Sequence, residues 1–282
     1  MKRNHVVLGL AAVGWLAFGP GGAAAAGDAP PAAAAKLVST VLVVDKAAVA
    51  LGEPVRVTVH AEYRGTRETA VDVSWTAFDF FEVTDPDGKP APYVGFVGQV
   101  RSHPVQVAPS STVVVAKSLD LADQYLFVKT GGYRIRMRQG MGGGPDGPAL
   151  TLPPSNLVTV EVTQGQATEL DKIVARLLPI CPPGWAVTKS RRDEREVAPF
   201  GRGLVAGCAA HLARSFMGGE AVYLWLTKAK APLDTGQKRD QTSEYLGRCG
   251  DLHVYVALGP KAPEAWPKAV ADLSRVLGIA KE

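Results

Sequence analysis

The chain has 282 residues, with 31 Lys and Arg against 27 Asp and Glu and a formal net charge of +4. So small an excess gives no electrostatic case for nucleic acid or an anionic membrane as a partner. Length favours two domains, and the 3 cysteines leave one thiol over after any disulfide.

Residues 1–26 read as a secretory signal peptide. Lys2 and Arg3 form its charged start, Val6 to Phe18 is a short apolar run, and Ala24-Ala25-Ala26 offers a small-residue cleavage site. The run falls short of the ~20 residues a bilayer requires, and no Cys follows the site to carry a lipid. The expectation is an exported protein, periplasmic or extracellular, with no membrane span after signal removal. Losing Lys2 and Arg3 lowers the formal charge from +4 to +2. Residues 27–36 are an Ala/Pro tether with too little bulk to bury, expected to be disordered.

From Leu37 the text changes to short strands punctuated by Gly and Pro. Val41 to Val44 is the first. Val55, Val57, Val59, Ala61 and Tyr63 then alternate with Arg56, Thr58, His60 and Glu62, which predicts a strand with one face on a core and His60 outward. Val71, Val73 and Trp75 carry the next inward face. Phe81 and Val83 lead into Asp85-Pro86-Asp87-Gly88 and Tyr93 leaves it, which predicts a central hairpin: Pro presets φ, Asp closes a local hydrogen bond and Gly supplies a positive φ. Val105 and Val107, then Val113 and Val115, flank an Ala108 to Ser111 turn. Tyr133, Ile135 and Met137 alternate with Arg134, Arg136 and Arg138, and Val158, Val160 and Val162 close the series. Short strands with such regular turns predict an all-β immunoglobulin-like sandwich over residues 37–163.

The same residues carry a family likeness. Leu51-Gly52-Glu53-Pro54-Val55, Phe81-Glu82-Val83, Asp87-Gly88-Lys89-Pro90, Tyr93-Val94-Gly95, Leu119-Asp120-Leu121, Gly132 to Arg136 and Ser155 to Val160 resemble the β-sandwich domain that precedes the catalytic domain in deuterolysin-type (aspzincin) metallopeptidases. The resemblance covers less than half the chain. It implies a sandwich scaffold without the family's zinc site, since no His-Glu-x-x-His occurs in the sequence.

Residues 164–282 change character again. Thr168-Glu169-Leu170-Asp171 has capping-box spacing, and Leu170, Ile173, Val174, Leu177 and Leu178 share one helical face that Pro179 ends. Trp185 to Thr188 is a predicted strand, and Lys189 to Glu196 a mixed-charge loop. Ala209 to Phe216 and Ala221 to Thr227 read as a hairpin across Gly218-Gly219, and Leu252 to Leu258 as another strand. A final helix from Pro263 carries Trp266, Val270, Leu273 and Leu277, with Gly278 as its cap. Together these predict a small α+β domain, an antiparallel sheet with two flanking helices.

Catalytic chemistry has little to stand on. No Gly-x-Ser-x-Gly occurs, and His60, His103, His211 and His253 share no ligand spacing with one another or with a Cys. No metal and no cofactor is expected. The Gly140 to Gly147 loop lacks the Lys-Ser/Thr and the helix of a phosphate cradle, so a flexible loop is the expectation. Two surfaces hold more content. Arg134, Arg136 and Arg138 form a basic stripe, either the wet face of a sheet or a seat for an acidic partner. Tyr223, Trp225, His253 and Tyr255 give the second domain an aromatic face, which either meets the sandwich or stays open for a ligand. Cys208 precedes the first hairpin strand and Cys249 lies at the turn before Leu252; an oxidising compartment would let that pair close, the alternative being three reduced, buried thiols.

Three functions remain in play. The first is an exported non-catalytic binding or accessory module whose partner is another exported protein. The second is a hydrolase with a site in the second domain, using His211, Glu244 or His253. The third is a proteinase inhibitor or protease-associated accessory.

Overall fold

The computed structural model describes residues 37–72, 80–95, 104–138, 150–181, 186–192, 207–215, 220–227, 243–258 and 273–279. The signal peptide, the tether, Trp75, His103, the Gly140 to Gly147 loop and Trp266 lie outside the described residues. The protein is mostly β-sheet, in several antiparallel sheets.

One sheet takes β1 (Val38–Val44), β3 (Arg56–Tyr63) and β7 (Thr112–Asp120) in the order β1-β3-β7. A second takes β2 (Ala48–Ala50), β9 (Val158–Thr163), β8 (Gly131–Met137) and β5 (Phe81–Thr84) in that order, with β2 and β9 parallel. β4 (Thr69–Asp72) pairs with β6 (Pro104–Val107). Period-two patterning explains how they join. Val57, Val59, Ala61 and Tyr63 of β3, with Val55 just before it, are buried in one cluster with Phe81 and Val83 of β5 and Tyr133, Ile135 and Met137 of β8. A buried Val contributes roughly 1.5–3 kcal/mol, so this row outweighs the partner preferences of any single strand.

The turn at Asp85 forms as its residues dictate. Asp85 Oδ1 accepts from the backbone N–H of Asp87 at 3.0 Å and of Lys89 at 2.9 Å, and Gly88 has φ +78°. Lys129 Nζ clamps the turn from outside, 2.5 Å from Asp85 Oδ2 and 2.6 Å from Asp87 Oδ2. The expected central hairpin is cut short: among the described residues the chain leaving the turn meets β5 at Pro90 and Ala91, and the ladder partner of β5 is β8. The Ala108 to Ser111 turn likewise joins strands that do not pair: β6 lies against β4, and β7 against β3. In both places the turn carries the chain between sheets, because burial of the apolar row decides the partner.

The last sheet has five strands, β10 (Ala186–Arg192), β11 (Gly207–Ser215), β12 (Glu220–Thr227), β13 (Ser243–Cys249) and β14 (Leu252–Leu258), ordered β10-β11-β12-β14-β13. Two differences from the sequence reading stand out. Lys189 to Arg192, expected in a loop, continue β10, and Ser243–Cys249 forms a strand that its irregular S-E-Y-L-G-R-C text does not announce. The helix α1 (Glu169–Leu177) is capped by Thr168, whose hydroxyl oxygen accepts from the Asp171 N–H. Leu170, Ile173, Val174 and Leu177 of α1, together with Leu273 and Leu277, bury against Leu224, Leu226, Val254 and Val256 of the sheet.

The buried side chains thus form two clusters, one of residues up to Val162 and one of residues from Leu170 onward. Val94 and Leu126 are the exceptions: they precede residue 163 yet belong to the second cluster. Beside them Val94 N–H donates to Gln124 O, Leu126 N–H to Pro92 O, and Lys189 N–H to Val94 O at 2.8 Å. The edge of β10 therefore continues into a short ribbon of the first half.

Candidate binding face

Directly opposed residues of neighbouring strands share a face. Tyr223 lies opposite His211 and Ala257, Trp225 opposite Ala209 and Tyr255, and Tyr245 opposite Tyr255. Tyr245 and Tyr255 therefore share one face of the five-stranded sheet, while the side chains of His211, Tyr223 and Trp225 lie outside the described residues. His253 follows by its alternation with Val254. The opposite face is the one covered by the helical residues.

At the β13–β14 end the geometry is defined. Tyr245 Oη and His253 Nδ1 are 2.9 Å apart, so one hydrogen bond joins them whichever tautomer His253 holds. The Tyr245 ring lies 5.0 Å from the Tyr255 ring at 48° and 5.8 Å from the His253 ring at 36°. His253 is 9% exposed and Tyr255 5%, so neither is presented to solvent, while Tyr245 is half-buried at the rim. Chemically this is a planar, polarisable cluster with a phenol and an imidazole able to exchange a hydrogen bond. Thr188, opposite His211 on the same face, is buried with its hydroxyl unpartnered. Tyr245 was missed in the sequence because its strand was missed. The register shifts between Tyr245 and Gly247, which breaks the alternation by which a strand is read from sequence.

Arg134 and Arg136 of β8, and Arg138 just after it, are exposed. Arg136 sits opposite Glu82 in register, with Nη2 2.6 Å from Glu82 Oε2. That hydrogen bond, with the further fields of Arg138 and Arg134, holds the Glu82 carboxyl below its ordinary range. The stripe therefore carries its own counter-charge, and an exposed pair of this kind contributes ~0–1 kcal/mol.

The expected Cys208–Cys249 disulfide is not formed. Cys249 is a free, buried thiol whose Sγ donates to Leu277 O at 3.4 Å. Its strand β13 and the strand of Cys208, β11, are separated by β12 and β14. Three strand spacings amount to ~14 Å, twice the ~7 Å over which two Cα atoms can be bridged. Among the described residues, no group of three or more His, Cys, Asp and Glu gathers into a metal-holding set.

No family model matches the chain, and no curated protein matches it. Among solved structures it aligns with Spo0M, a sporulation control protein from Bacillus subtilis, over 86% of this chain and 96% of that one. The identity is 11% and the TM-score 0.26, a superposition too loose to support any statement about fold or activity.

Proposed function

We propose that the protein is an exported, non-catalytic binding or accessory module. In this reading residues 1–26 direct export, 27–36 are a tether, 37–163 form an immunoglobulin-like β-sandwich and 164–282 an α+β domain. The partner is another exported protein or its surface chemistry. The sandwich serves as a scaffold, in keeping with its resemblance to the domain that precedes the catalytic unit of deuterolysin-type peptidases.

The observation that carries the reading is the half-buried Tyr245 on the sheet face away from the helices, hydrogen-bonded to the buried His253 and packed on the buried Tyr255. Aromatic rings beside hydrogen-bonding groups suit recognition of a planar or sugar-like ligand. The test is retention of the mature protein on glycan and peptide arrays, with Tyr245→Ala as comparator. Retention that Tyr245→Ala weakens supports the reading, and no retention of the parent protein sinks it.

The same hydrogen bond favours a second reading. A tyrosine and a histidine 2.9 Å apart could act as an acid–base pair, which is what a hydrolase site in this domain would use. Turnover of ester, peptide or glycoside substrates that disappears in both Tyr245→Phe and His253→Ala would replace the first reading with this one.

A further inference from the structure

Residues 92–95 and 124–128 form a narrow ribbon, joined by an antiparallel bridge between Tyr93 and Tyr125. Alternation gives such a segment two faces, and here each face enters a different core. Tyr125 and Phe127 are buried in the first cluster, with Tyr93 packed against it. Val94 and Leu126 are buried in the second, with Val128 packed against it. Tyr93 and Tyr125 meet edge-on at 5.4 Å, and the Phe127 ring lies 4.7 Å from the Tyr133 ring of β8. From β10, Lys189 donates its N–H to Val94 O at 2.8 Å and its Nζ to Tyr125 O at 3.4 Å. The covalent crossing between the halves is equally tight. Leu51 N–H donates to Thr163 O at 3.1 Å. A Cβ on Gly165 would stand 2.6 Å from Leu51 O, and one on Gly52 2.2 Å from Gln166 O, so the segment leading to α1 lies against Leu51 and Gly52 with no room for a methyl group.

We propose that the ribbon couples the two halves into one cooperative body, in which neither core opens while the other stays closed. Relative motion is the ordinary behaviour of two units that meet across a modest polar interface. A shared ribbon removes that freedom, because the same backbone is a wall of both cores. Opening the second half alone would expose Val94, Leu126 and Val128 on a ribbon still held in the first by Tyr93, Tyr125 and Phe127. Opening the first half alone would withdraw those three apolar side chains from the second core and take Tyr125 O away from the Lys189 ammonium. The consequence for a binding module is reciprocal: a partner that stabilises either half stabilises both.

The test is native-state hydrogen exchange on the mature chain, with one core side chain shortened at a time. Leu224 belongs to the second cluster and Ile135 to the first, and both are fully buried. Leu224→Ala is expected to speed the slowest amides of β8 and of β14 by the same factor, roughly a hundredfold for a core truncation of this size. Ile135→Ala should do the same from the other side. Should either variant fail to fold, Val254→Ala in the second core and Ile135→Val in the first remove less, and the same equality between halves is expected at a smaller factor. Acceleration confined to the half that carries the substitution, or much larger there, overturns the proposal.

Discussion

Lys189 Nζ lies 2.6 Å from Asp171 Oδ1, with the two side chains only 1% and 5% exposed. Asp171 Oδ2 accepts from the Thr168 hydroxyl at 2.6 Å, so the same carboxylate that steadies the helix cap also neutralises the buried ammonium. Lys189 Nζ further donates to Tyr125 O at 3.4 Å, and its backbone N–H to Val94 O. One residue thus ties α1, β10 and the ribbon of the first half together.

Breaking that pair from one side strands a charge in a dry site. Lys189→Met is expected to destabilise the protein by about 3–5 kcal/mol, and Lys189→Met with Asp171→Leu to recover much of the loss. Urea unfolding of the single and double variants measures this. A single variant within 1 kcal/mol of the parent would mean that the pair does not hold the junction.

Glycine substitutions should rank by what surrounds them. Gly88 has φ +78° and open space where a Cβ would stand, so Gly88→Ala carries backbone strain alone, about 1 kcal/mol. Gly52 has φ +93°, and its Cβ would stand 2.2 Å from the Gln166 carbonyl oxygen, so Gly52→Ala must also displace the segment ahead of α1. Thermal melts should place Gly52→Ala clearly below Gly88→Ala, and the reverse order would refute the assignment.

The Asp85 turn should respond to acid. The hydrogen bond from Lys129 holds the Asp85 carboxyl below its ordinary range, with the Lys89 and Asp87 N–H groups adding to it. A carboxyl lowered in the folded state stabilises above its unfolded pKa of about 4 and loses that contribution as pH falls through the folded value. Lys129 is raised by the same contacts, so its share persists up to about pH 10 and fades only above that. Asp85→Asn should therefore melt below the parent protein from pH 5 upward, with the gap closing below about pH 4. A gap independent of pH would assign the effect to shape, not charge.

Cys249 should be inert in the native protein. Burial pushes its thiol above the ordinary range, which leaves little thiolate to react. Iodoacetamide at neutral pH is expected to leave Cys249 unmodified until urea is added, and non-reducing peptide mapping should find no Cys208–Cys249 link. A linked peptide would contradict the strand order given above.

What the sequence determined by itself was local. The alternation from Val55 to Tyr63, the Thr168 cap with the apolar face that follows it, and the positive φ at Gly88 each depend on neighbours a few residues away, and each can be read from spacing. Tertiary structure decided the rest. Lys189 reads as a solvated loop residue beside Ser190, Arg191 and Arg192. Only its distance from Asp171, 18 residues away, makes it a buried strand residue. Tyr245 and His253 meet because β13 pairs with β14 with a shift of register after Tyr245, which no periodic pattern announces. The separation of Cys208 from Cys249 follows from strand order, which is set by how the five strands together bury their apolar face. Asn156 bonds both backbone groups of Leu42, 114 residues away, a pairing that no local pattern announces. Edges, partners and buried charges are properties of the assembled sheets, since each arises from which surfaces are left once the apolar rows have been covered.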